Sequence, residues 1–304
     1  MRYNFTQYSF IMVLMLLVAV IPVHAENVEF PLVQAMSYFP YSQNRVLDRN
    51  EVSVGLSLYY SNVYTFDLPG QTFSDFETSS LLLDVRYGIT SGITLEFYGK
   101  ASSVFGGSLD KFIEDFHDSF NLPDNYRYDF PRDSVVYYHK DNFFHTQKRN
   151  FASPLVVGAL FRFYENDTFS LKSRISLGIP LAELPGFVSD QPFLTAGLLM
   201  GVRSGIFSLE TSGYISFFKT PKWLDTESID PRIFYSNTRL TIGRFISGVI
   251  IRTSPIREGD AAHDAYQGYL GVRIGKGIEL LILEDFAPFD TTPDISFKIG
   301  VRLK

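Results

Sequence analysis

His117, Asp118 and Ser119 are the residues of this chain whose types would most directly suit nucleophilic catalysis. A serine becomes a nucleophile when a nearby histidine accepts its proton, and a carboxylate can orient that histidine. The three residues lie within residues 109–120, where apolar residues recur at helical spacing. Side chains two positions apart on a helix point about 200° away from each other, so His117 and Ser119 do not meet there. A hydrolase is therefore a weak hypothesis, and the chain is not predicted to be an enzyme.

The residues that follow Ser119 also differ from those of known lipid hydrolases. Outer-membrane phospholipases, which are twelve-stranded barrels, carry a His-x-Ser element followed by Asn-Gly. Here Ser119 is followed by Phe120 and Asn121. Because this motif is incomplete, the catalytic roles of the phospholipase residues are not assigned to residues of this chain.

Composition and motifs exclude several other function classes. The chain has no cysteine, which excludes a disulfide scaffold and thiol chemistry, and its net charge of −6 argues against a nucleic-acid partner. His139, His145 and His263 lie near acidic residues, but their spacing is not that of a metal site. The sequence contains no phosphate-binding glycine loop, zinc motif or nucleotide fingerprint. We therefore predict no cofactor and no metal.

Residues 105–152 form the longest link of the chain and contain a predicted helix at about 108–120. Ser108 is a plausible N-cap, and Asn121 with Pro123 fits a helix stop. The acidic face of this helix could lie over a pore, rest on the outer leaflet or pack on its own loop. As a lid, it would act through Phe112, Ile113, Phe116, His117 and Phe120.

Twelve segments of the chain show the period-2 alternation of β-strands. In the last of them, Ile295, Phe297 and Ile299 share one face, whereas Ser296 and Lys298 share the other. The predicted strands cover residues 50–60, 75–87, 93–104, 153–164, 168–179, 192–203, 206–217, 232–242, 245–254, 265–275, 278–286 and 294–303.

The links between these strands alternate between short and long. Each even-numbered strand is followed by a tiny link, such as Ser204-Gly205 or Gly243-Arg244, and each odd-numbered strand by a longer one. Outer-membrane barrels have this plan, with short periplasmic turns and long extracellular loops. The aromatic content of 16% suits the aromatic girdles of such a barrel. We predict an all-β, antiparallel transmembrane β-barrel at residues 50–304, in the outer membrane of a Gram-negative bacterium.

The start of the chain has the features of a cleaved signal peptide at residues 1–25. Arg2 precedes the apolar run 10–20, and residues 23–25 fit a small-residue cleavage site. The run is too short to cross a membrane comfortably, which needs about 20 residues. Residues 26–49 show no strand pattern, and they either lie in the periplasm or enter the lumen as a plug.

The predicted inward faces are mostly basic, with eleven Lys and Arg residues against four Asp and Glu residues. The residues predicted to line an anion pathway are Arg86, Arg162, Lys172, Arg174, Arg203, Arg239 and Arg273. This surplus favours an anion-preferring constriction. The alternative is a charge network that only fills a narrow barrel, because twelve strands enclose little free space.

Three hairpins repeat the same arrangement of charges. A basic residue precedes a short turn and a glutamate follows it: Arg86 and Glu96, Arg203 and Glu210, Arg273 and Glu279. Such residues can meet on one face of paired antiparallel strands. We predict three lumenal ion pairs through Glu96, Glu210 and Glu279.

These features together resemble an uncharacterised family of bacterial outer-membrane barrels, known as a domain of unknown function. The resemblance is carried by the signal peptide, the strand repeat, the Gly106-Gly107 loop entry and the run FIEDFHDSFNLP at 112–123. It covers nearly all of the mature chain, and it implies fold and location but no catalytic residues. One departure is the end of the last strand, where Leu303-Lys304 replaces the usual terminal aromatic residue of the assembly signal.

The predicted function is passage of small anionic or amphipathic solutes through a basic lumen that loop 105–152 narrows. The alternatives are a closed barrel that acts as a structural or adhesion platform through its loops and, less favoured, a lipid-modifying hydrolase. The expected partners are outer-membrane lipid, lipopolysaccharide, the barrel-assembly machinery and an unspecified small solute.

Overall fold

The computed structural model describes residues 45–67, 72–120, 133–139, 143–224, 229–253, 255, 265–275, 277–285 and 295–303. These residues form β1 (Val52–Asp67), β2 (Thr72–Thr90), β3 (Ile93–Phe105), α1 (Asp110–Phe120), β4 (Val136–His139), β5 (Phe143–His145), β6 (Arg149–Ala152), β7 (Leu155–Glu165), β8 (Phe169–Ile179), β9 (Phe193–Ser204), β10 (Phe207–Phe218), β11 (Arg232–Ile242), β12 (Phe245–Arg252), β13 (Ala265–Ile274), β14 (Ile278–Asp285) and β15 (Ile295–Leu303).

Twelve of these strands form one closed antiparallel barrel in the order β1, β2, β3 and then β7 to β15. Strand β1 pairs with β2 on one side and with β15 on the other, which closes the ring. Closure leaves the wall without an edge strand, so every strand of the wall has a partner on both sides. The predicted twelve-stranded barrel with one short helix is confirmed.

The two faces of the barrel wall differ in the way the alternation predicts. Leu58, Leu198 and Leu270 project outward and are about half exposed or more. Inward residues such as Tyr59 and Leu199 are buried. An apolar outer face fits a hydrocarbon environment. The lumen, by contrast, is filled with packed side chains.

Five short turns lie at one end of the barrel, which we call the short-turn end, and the longer links lie at the opposite, long-loop end. Gly205 and Gly243 begin two-residue turns with φ of +60°, a conformation that favours glycine at the first turn position. In outer-membrane barrels the short-turn end faces the periplasm.

Strands β1 and β2 extend further than predicted, so that only residues 68–71 link them. Beyond Tyr60 the alternation of exposure stops, because residues 61–64 are all buried. Other parts of the chain cover both faces of this extension. The period-2 pattern that marks a half-buried strand is therefore absent there, which is why the sequence prediction ended the strand early.

The long link 105–152 contains three strands that were not predicted from the sequence. Strand β4 pairs with the extension of β2, β5 pairs with β4, and β6 pairs with the end of β3. These short strands continue the sheet beyond the barrel wall. Helix α1, predicted at about 108–120, is confirmed. No helix in the described ranges has the length and apolar character needed to cross a membrane.

Candidate lumen and its closures

Glu96 lies at the centre of a buried charge cluster near the short-turn end. Arg86 Nε donates a hydrogen bond to Glu96 Oε1 at 3.0 Å, and Arg174 Nε donates to Oε2 at 2.7 Å. Arg174 Nη1 also donates to the Tyr214 hydroxyl at 2.7 Å. The three charged side chains are fully enclosed. Glu96 thus links β2, β3 and β8 and holds two guanidinium groups with one carboxylate.

Glu279 forms a second cluster of the same composition. Its Oε1 accepts a hydrogen bond from Arg239 Nη2 at 2.7 Å and one from Arg273 Nη2 at 2.9 Å. Arg239 is buried on β11, whereas Arg273 on β13 is partly exposed at the rim. Again two guanidinium groups share one carboxylate.

Glu165, at the end of β7, forms a third cluster with two basic residues. It accepts hydrogen bonds from Lys172 Nζ at 2.9 Å and from Arg162 Nη1 at 3.2 Å. Arg203 and Glu210 are 3.5 Å apart at the rim and are more exposed than the other pairs. Three of the four arrangements therefore contain more cations than carboxylates.

Two lysines lie above this charged layer, on either side of an inward-facing tyrosine. Lys298 Nζ is 5.5 Å and Lys100 Nζ is 5.9 Å from the centre of the Tyr59 ring. Both distances are in the range of cation–π attraction. Basic side chains are therefore also present towards the middle of the barrel.

Residues 45–48 enter the short-turn end of the lumen beside β2 and β3. The carbonyl oxygen of Arg45 accepts a hydrogen bond from Arg86 Nη2 at 2.6 Å, and the amide of Leu47 donates to Thr94 Oγ1 at 2.7 Å. Val46 and Leu47 are buried. Whether residues 26–49 as a whole form a plug or lie in the periplasm remains a prediction, because residues 26–44 lie outside the described ranges.

The link between β8 and β9, residues 180–192, packs against other chain segments at the long-loop end, and we call it the cap loop. Phe187 of this loop is fully buried, and its ring centre is 5.0 Å from that of Tyr137, 5.1 Å from Phe151 and 5.2 Å from His145. Phe76 of β2 completes the group at 6.1 Å. Such tilted and edge-on aromatic contacts are favourable beyond the area they bury. The cap loop thus contributes Phe187 to an aromatic cluster at this end, which we call the aromatic box.

Hydrogen bonds hold the cap loop over the aromatic box. The Tyr137 hydroxyl donates to the Gly186 carbonyl at 3.1 Å, and Trp223 Nε1 donates to the Val188 carbonyl at 3.3 Å. His145 Nε2 lies 2.9 Å from the Pro185 carbonyl oxygen. Because a carbonyl only accepts, Nε2 carries the hydrogen.

The environment of His145 favours its neutral form. Burial lowers the pKa of the ring and the nearby positive charge of Arg149 adds to this, while the bond to Pro185 opposes it. The neutral imidazole already makes the Nε2 bond that the cap loop needs. The contacts of His145 with the docked cap loop therefore favour the neutral ring.

Helix α1 docks on the outer face of the β1–β2 extension, away from the lumen. The Leu109 amide donates to Glu77 at 2.5 Å, and Asn62 Nδ2 donates to Asp110 at 3.0 Å. Glu77 and Asn62 are partners in the ladder and share the outward face with Leu58. The Glu77 carboxylate therefore accepts a hydrogen bond from the backbone at the start of the helix. From the sequence, Ser108 had been expected to cap this end of the helix.

The lid residues predicted on α1 have different environments. Phe112 is about half exposed and Ile113 is buried, while the side chains of Phe116, His117 and Phe120 lie outside the described set. The lid role of these residues remains a prediction. The described contacts of the helix lie on the outer face of the β1–β2 extension, whereas Tyr137, His145 and Phe151 of the same link 105–152 pack against Phe187 of the cap loop.

The hydroxyl of Ser119 makes a local contact within the helix. Its Oγ donates to the Asp115 carbonyl at 2.7 Å, one turn earlier. This is the back-bonding common for serine on a helix. The contact does not resemble that of an activated nucleophile. The described residues also contain no group of three His, Asp or Glu side chains placed to hold a metal ion.

The roles of the cap loop and of Glu165 were not predicted from the sequence. A signal for the cap loop was present, because Leu184, Phe187 and Val188 place three apolar residues in a link that an exposed loop would fill with polar ones. Glu165 was assigned to a turn. The β-bulge between Arg162 and Tyr164 places it opposite Ser170 at the end of the ladder.

Comparison with known proteins supports the family and the fold. Residues 10–183 match the family described as "Protein of unknown function (DUF3187)". The COG4313 outer membrane channel from Pseudomonas putida F1 is 10% identical, with a TM-score of 0.54 over 87% of this chain and 98% of that chain. The translocator domain of autotransporter NalP from Neisseria meningitidis is 11% identical, with a TM-score of 0.44 over 83% and 88% of the two chains. No curated protein matches the sequence significantly.

Proposed function

We propose that this chain, which belongs to the DUF3187 family of proteins of unknown function, is a gated outer-membrane channel for small anionic or amphipathic solutes. The observation that carries the proposal is the repeated sharing of one glutamate by two basic residues. It occurs at Glu96, Glu165 and Glu279. The lumen therefore holds more positive than negative charge in a packed, poorly hydrated space.

Such a surplus acts strongly on a passing ion. Fixed charges in a low-dielectric environment attract counter-ions far more than they do in water. Pores that select anions place Arg and Lys along the pathway, whereas those that select cations use rings of Asp and Glu. Arg174, Arg239 and Lys298 are inward and buried, so a solute in the lumen would pass close to them.

The gate in this proposal is the cap loop, with residues 45–48 as a smaller obstruction at the other end. Phe187 is held by aromatic contacts and a few hydrogen bonds, without any covalent link. A loop held in this way can withdraw without rearranging the barrel wall. The lid function that the sequence suggested for α1 is thus assigned to another element of the same rim.

The outer membrane is the proposed location, reached after cleavage of the predicted signal peptide. The apolar outer face of the wall and the short-turn plan support it. The solved structure from Pseudomonas putida F1 is described as an outer membrane channel, and its similarity to this chain is one of fold. Outer-membrane lipid, lipopolysaccharide and the assembly machinery are the proposed partners.

Ion selectivity tests the proposal. The full-length protein would carry a Gly-Gly-Ser linker in place of residues 183–189, which removes the Phe187 side chain from the aromatic box. In a planar bilayer with a salt gradient, we expect a reversal potential that indicates chloride preference. Arg239→Gln with Lys298→Gln should move that potential towards zero, because both side chains are inward.

The matched control is Lys111→Gln, which removes the same kind of charge from the exposed face of α1. Cation preference, or a reversal potential that Arg239→Gln with Lys298→Gln leaves unchanged, would overturn the anion assignment. A folded protein that never conducts in any of these variants would favour the alternative, a closed barrel that acts through its extracellular loops.

A further inference from the structure

Small hydroxyl side chains line the half of the lumen nearest the cap loop. Ser61 of β1 is the ladder partner of Thr78 on β2 and of Ser296 on β15, and all three face inward. They are at most 2% exposed. Their hydroxyl oxygens have no hydrogen-bond partner among the described residues. Three adjacent strands thus present a row of unsatisfied hydroxyls.

Gln267 on β13 adds an amide to this row. It is fully buried, and neither its Nε2 nor its Oε1 has a partner within the described ranges. Tyr269, two positions along β13 on the same face, is the ladder partner of Leu283, which in turn is the partner of Ser296. Gln267 therefore lies near the level of the hydroxyl row, one step closer to the cap.

A second hydroxyl row lies on the opposite wall. Thr195 of β9 is the ladder partner of Ser176 on β8 and of Ser216 on β10. Thr195 Oγ1 donates to Ser216 Oγ at 3.0 Å, whereas Ser176 Oγ is buried without a partner in the described part of the chain. Strand β9 is about half the circumference away from β1, so the two rows face each other.

The ammonium groups of Lys298 and Lys100 lie just below the first row. Lys298 is two residues from Ser296 on the same face of β15, and Tyr59 is two residues from Ser61 on β1. Both amino groups are within 5.9 Å of the Tyr59 ring centre. One part of the packed lumen, which we call the compartment, therefore combines hydroxyls, an amide, an aromatic ring and two cations.

Buried polar groups in native proteins nearly always have partners, and exceptions call for an explanation. Hydroxyl and amide groups both donate and accept, which matches the hydroxyls of a polyol or sugar. Ammonium groups match a carboxylate. The unpartnered hydroxyls and the Gln267 amide are buried, and a solute would reach them only when the cap loop withdraws.

We propose that this compartment binds hydroxyl-rich carboxylates, the chemical class of sugar acids. The proposal rests on the proposed channel function and specifies its solute. In it, the carboxylate lies at Lys298 and Lys100, and the hydroxyls of the solute bind Ser61, Ser296 and Gln267. The Tyr59 ring offers an apolar face to the carbon chain.

Current block in the full-length protein with the 183–189 linker tests this inference. Three probes are compared: D-gluconate, hexanoate, which has the same charge and chain length without hydroxyls, and sorbitol, which has hydroxyls without charge. We expect D-gluconate to block at an about tenfold lower concentration than either of the others, since unsatisfied groups discriminate against a ligand that cannot pair with them.

Gln267→Leu should weaken the block by D-gluconate about tenfold and leave the block by hexanoate unchanged. If Gln267→Leu does not fold, Ser296→Ala is a smaller change in the same compartment. It should also weaken the block by D-gluconate and leave the block by hexanoate unchanged. The matched control is Ser247→Ala, because Ser247 shares the outer face with Leu270.

Each result has a distinct meaning. A conducting variant that D-gluconate and hexanoate block equally would overturn the solute assignment and leave the channel in place. Equal block by D-gluconate and sorbitol would overturn the role of the two lysines. The absence of conductance in the folded protein would instead overturn the proposed channel function.

Discussion

At the scale of single residues, a carboxylate shared between two basic side chains is the unit that builds the short-turn half of the lumen. Arg86 and Arg174 both bond Glu96 inside a space closed to water. Enclosing charges in this way is costly and is tolerated only while each charge has its partner. The cluster therefore holds two cations with one anion, and its stability depends on that single anion.

The first prediction concerns Glu96→Gln. The substitution leaves two enclosed guanidinium groups without a carboxylate, so the free energy of unfolding should fall by about 3–5 kcal/mol. Unfolding by urea from lipid vesicles, followed through Trp223, the chain's single tryptophan, measures it. Glu210→Gln is the control, because the rim pair Arg203–Glu210 is partly exposed and should contribute less than about 1 kcal/mol. Equal losses in the two variants would contradict this view of the cluster.

The second prediction concerns pH and His145. Because the docked cap lowers the pKa of His145 below its usual value of about 6.5, the docked state binds fewer protons than the undocked state. The docking of the cap loop is therefore strongest above pH 6.5, where His145 is neutral in both states, and it weakens as the pH falls below that value. Trp223 bonds the cap loop at Val188, so its fluorescence should report undocking between pH 7.5 and 5.5.

His145→Gln is the matched variant for this titration. It keeps an N–H donor for the Pro185 carbonyl but does not titrate. The fluorescence change should disappear in that variant, and its persistence would assign the pH response to another group.

Some of these residue contacts could be predicted from the sequence and others could not. Arg86 and Glu96 are ladder partners across a short turn, so spacing alone suggests their proximity. Arg174 reaches Glu96 from another hairpin, with β7 between their strands. The alternation of a strand predicts whether each side chain points inward or outward. It does not predict which of the inward side chains contact each other within a narrow barrel.

At the scale of elements, the extension of β1 and β2 decides where the long link goes. Helix α1 docks on the outer face of this extension, and Phe187 packs against Phe76 on its inner face. Both faces are thereby covered. The strands of the wall were predictable because one face of each meets lipid, whereas β4, β5 and β6 are short and lack that alternation.

The third prediction concerns Gly106, at the entry to α1. A Cβ on this residue would lie 1.9 Å from the Asp133 carbonyl oxygen, a backbone atom that cannot move cheaply. Gly106→Ala should therefore undock the start of the helix at a cost of about 1–3 kcal/mol. Limited proteolysis within residues 106–120 should become faster. Gly99→Ala is the control, since a Cβ there meets nothing within 4 Å. Unchanged proteolysis in Gly106→Ala would contradict the docking.

At the scale of the whole molecule, described parts of the chain pack into both ends of the barrel. The aromatic box lies at the long-loop end, and residues 45–48 lie at the short-turn end. Between them lie the glutamates that each bond two basic side chains and the rows of buried hydroxyls. The barrel itself can be predicted from the strand alternation and the lengths of the links. The packing at its ends depends on contacts between residues that are far apart in the sequence, such as Phe76 and Phe187, and no local sequence pattern indicates these contacts.

The central proposal is that the cap loop is the gate of a conducting lumen. The measurement that tests it is single-channel conductance of the refolded full-length protein, of the variant with the 183–189 linker, and of Phe144→Ala, which removes an exposed aromatic residue of the same rim. We predict that the unchanged protein and Phe144→Ala are mostly closed and that the linker variant conducts with anion preference. A linker variant that is folded but silent, or an unchanged protein that conducts as freely as the linker variant, would contradict it.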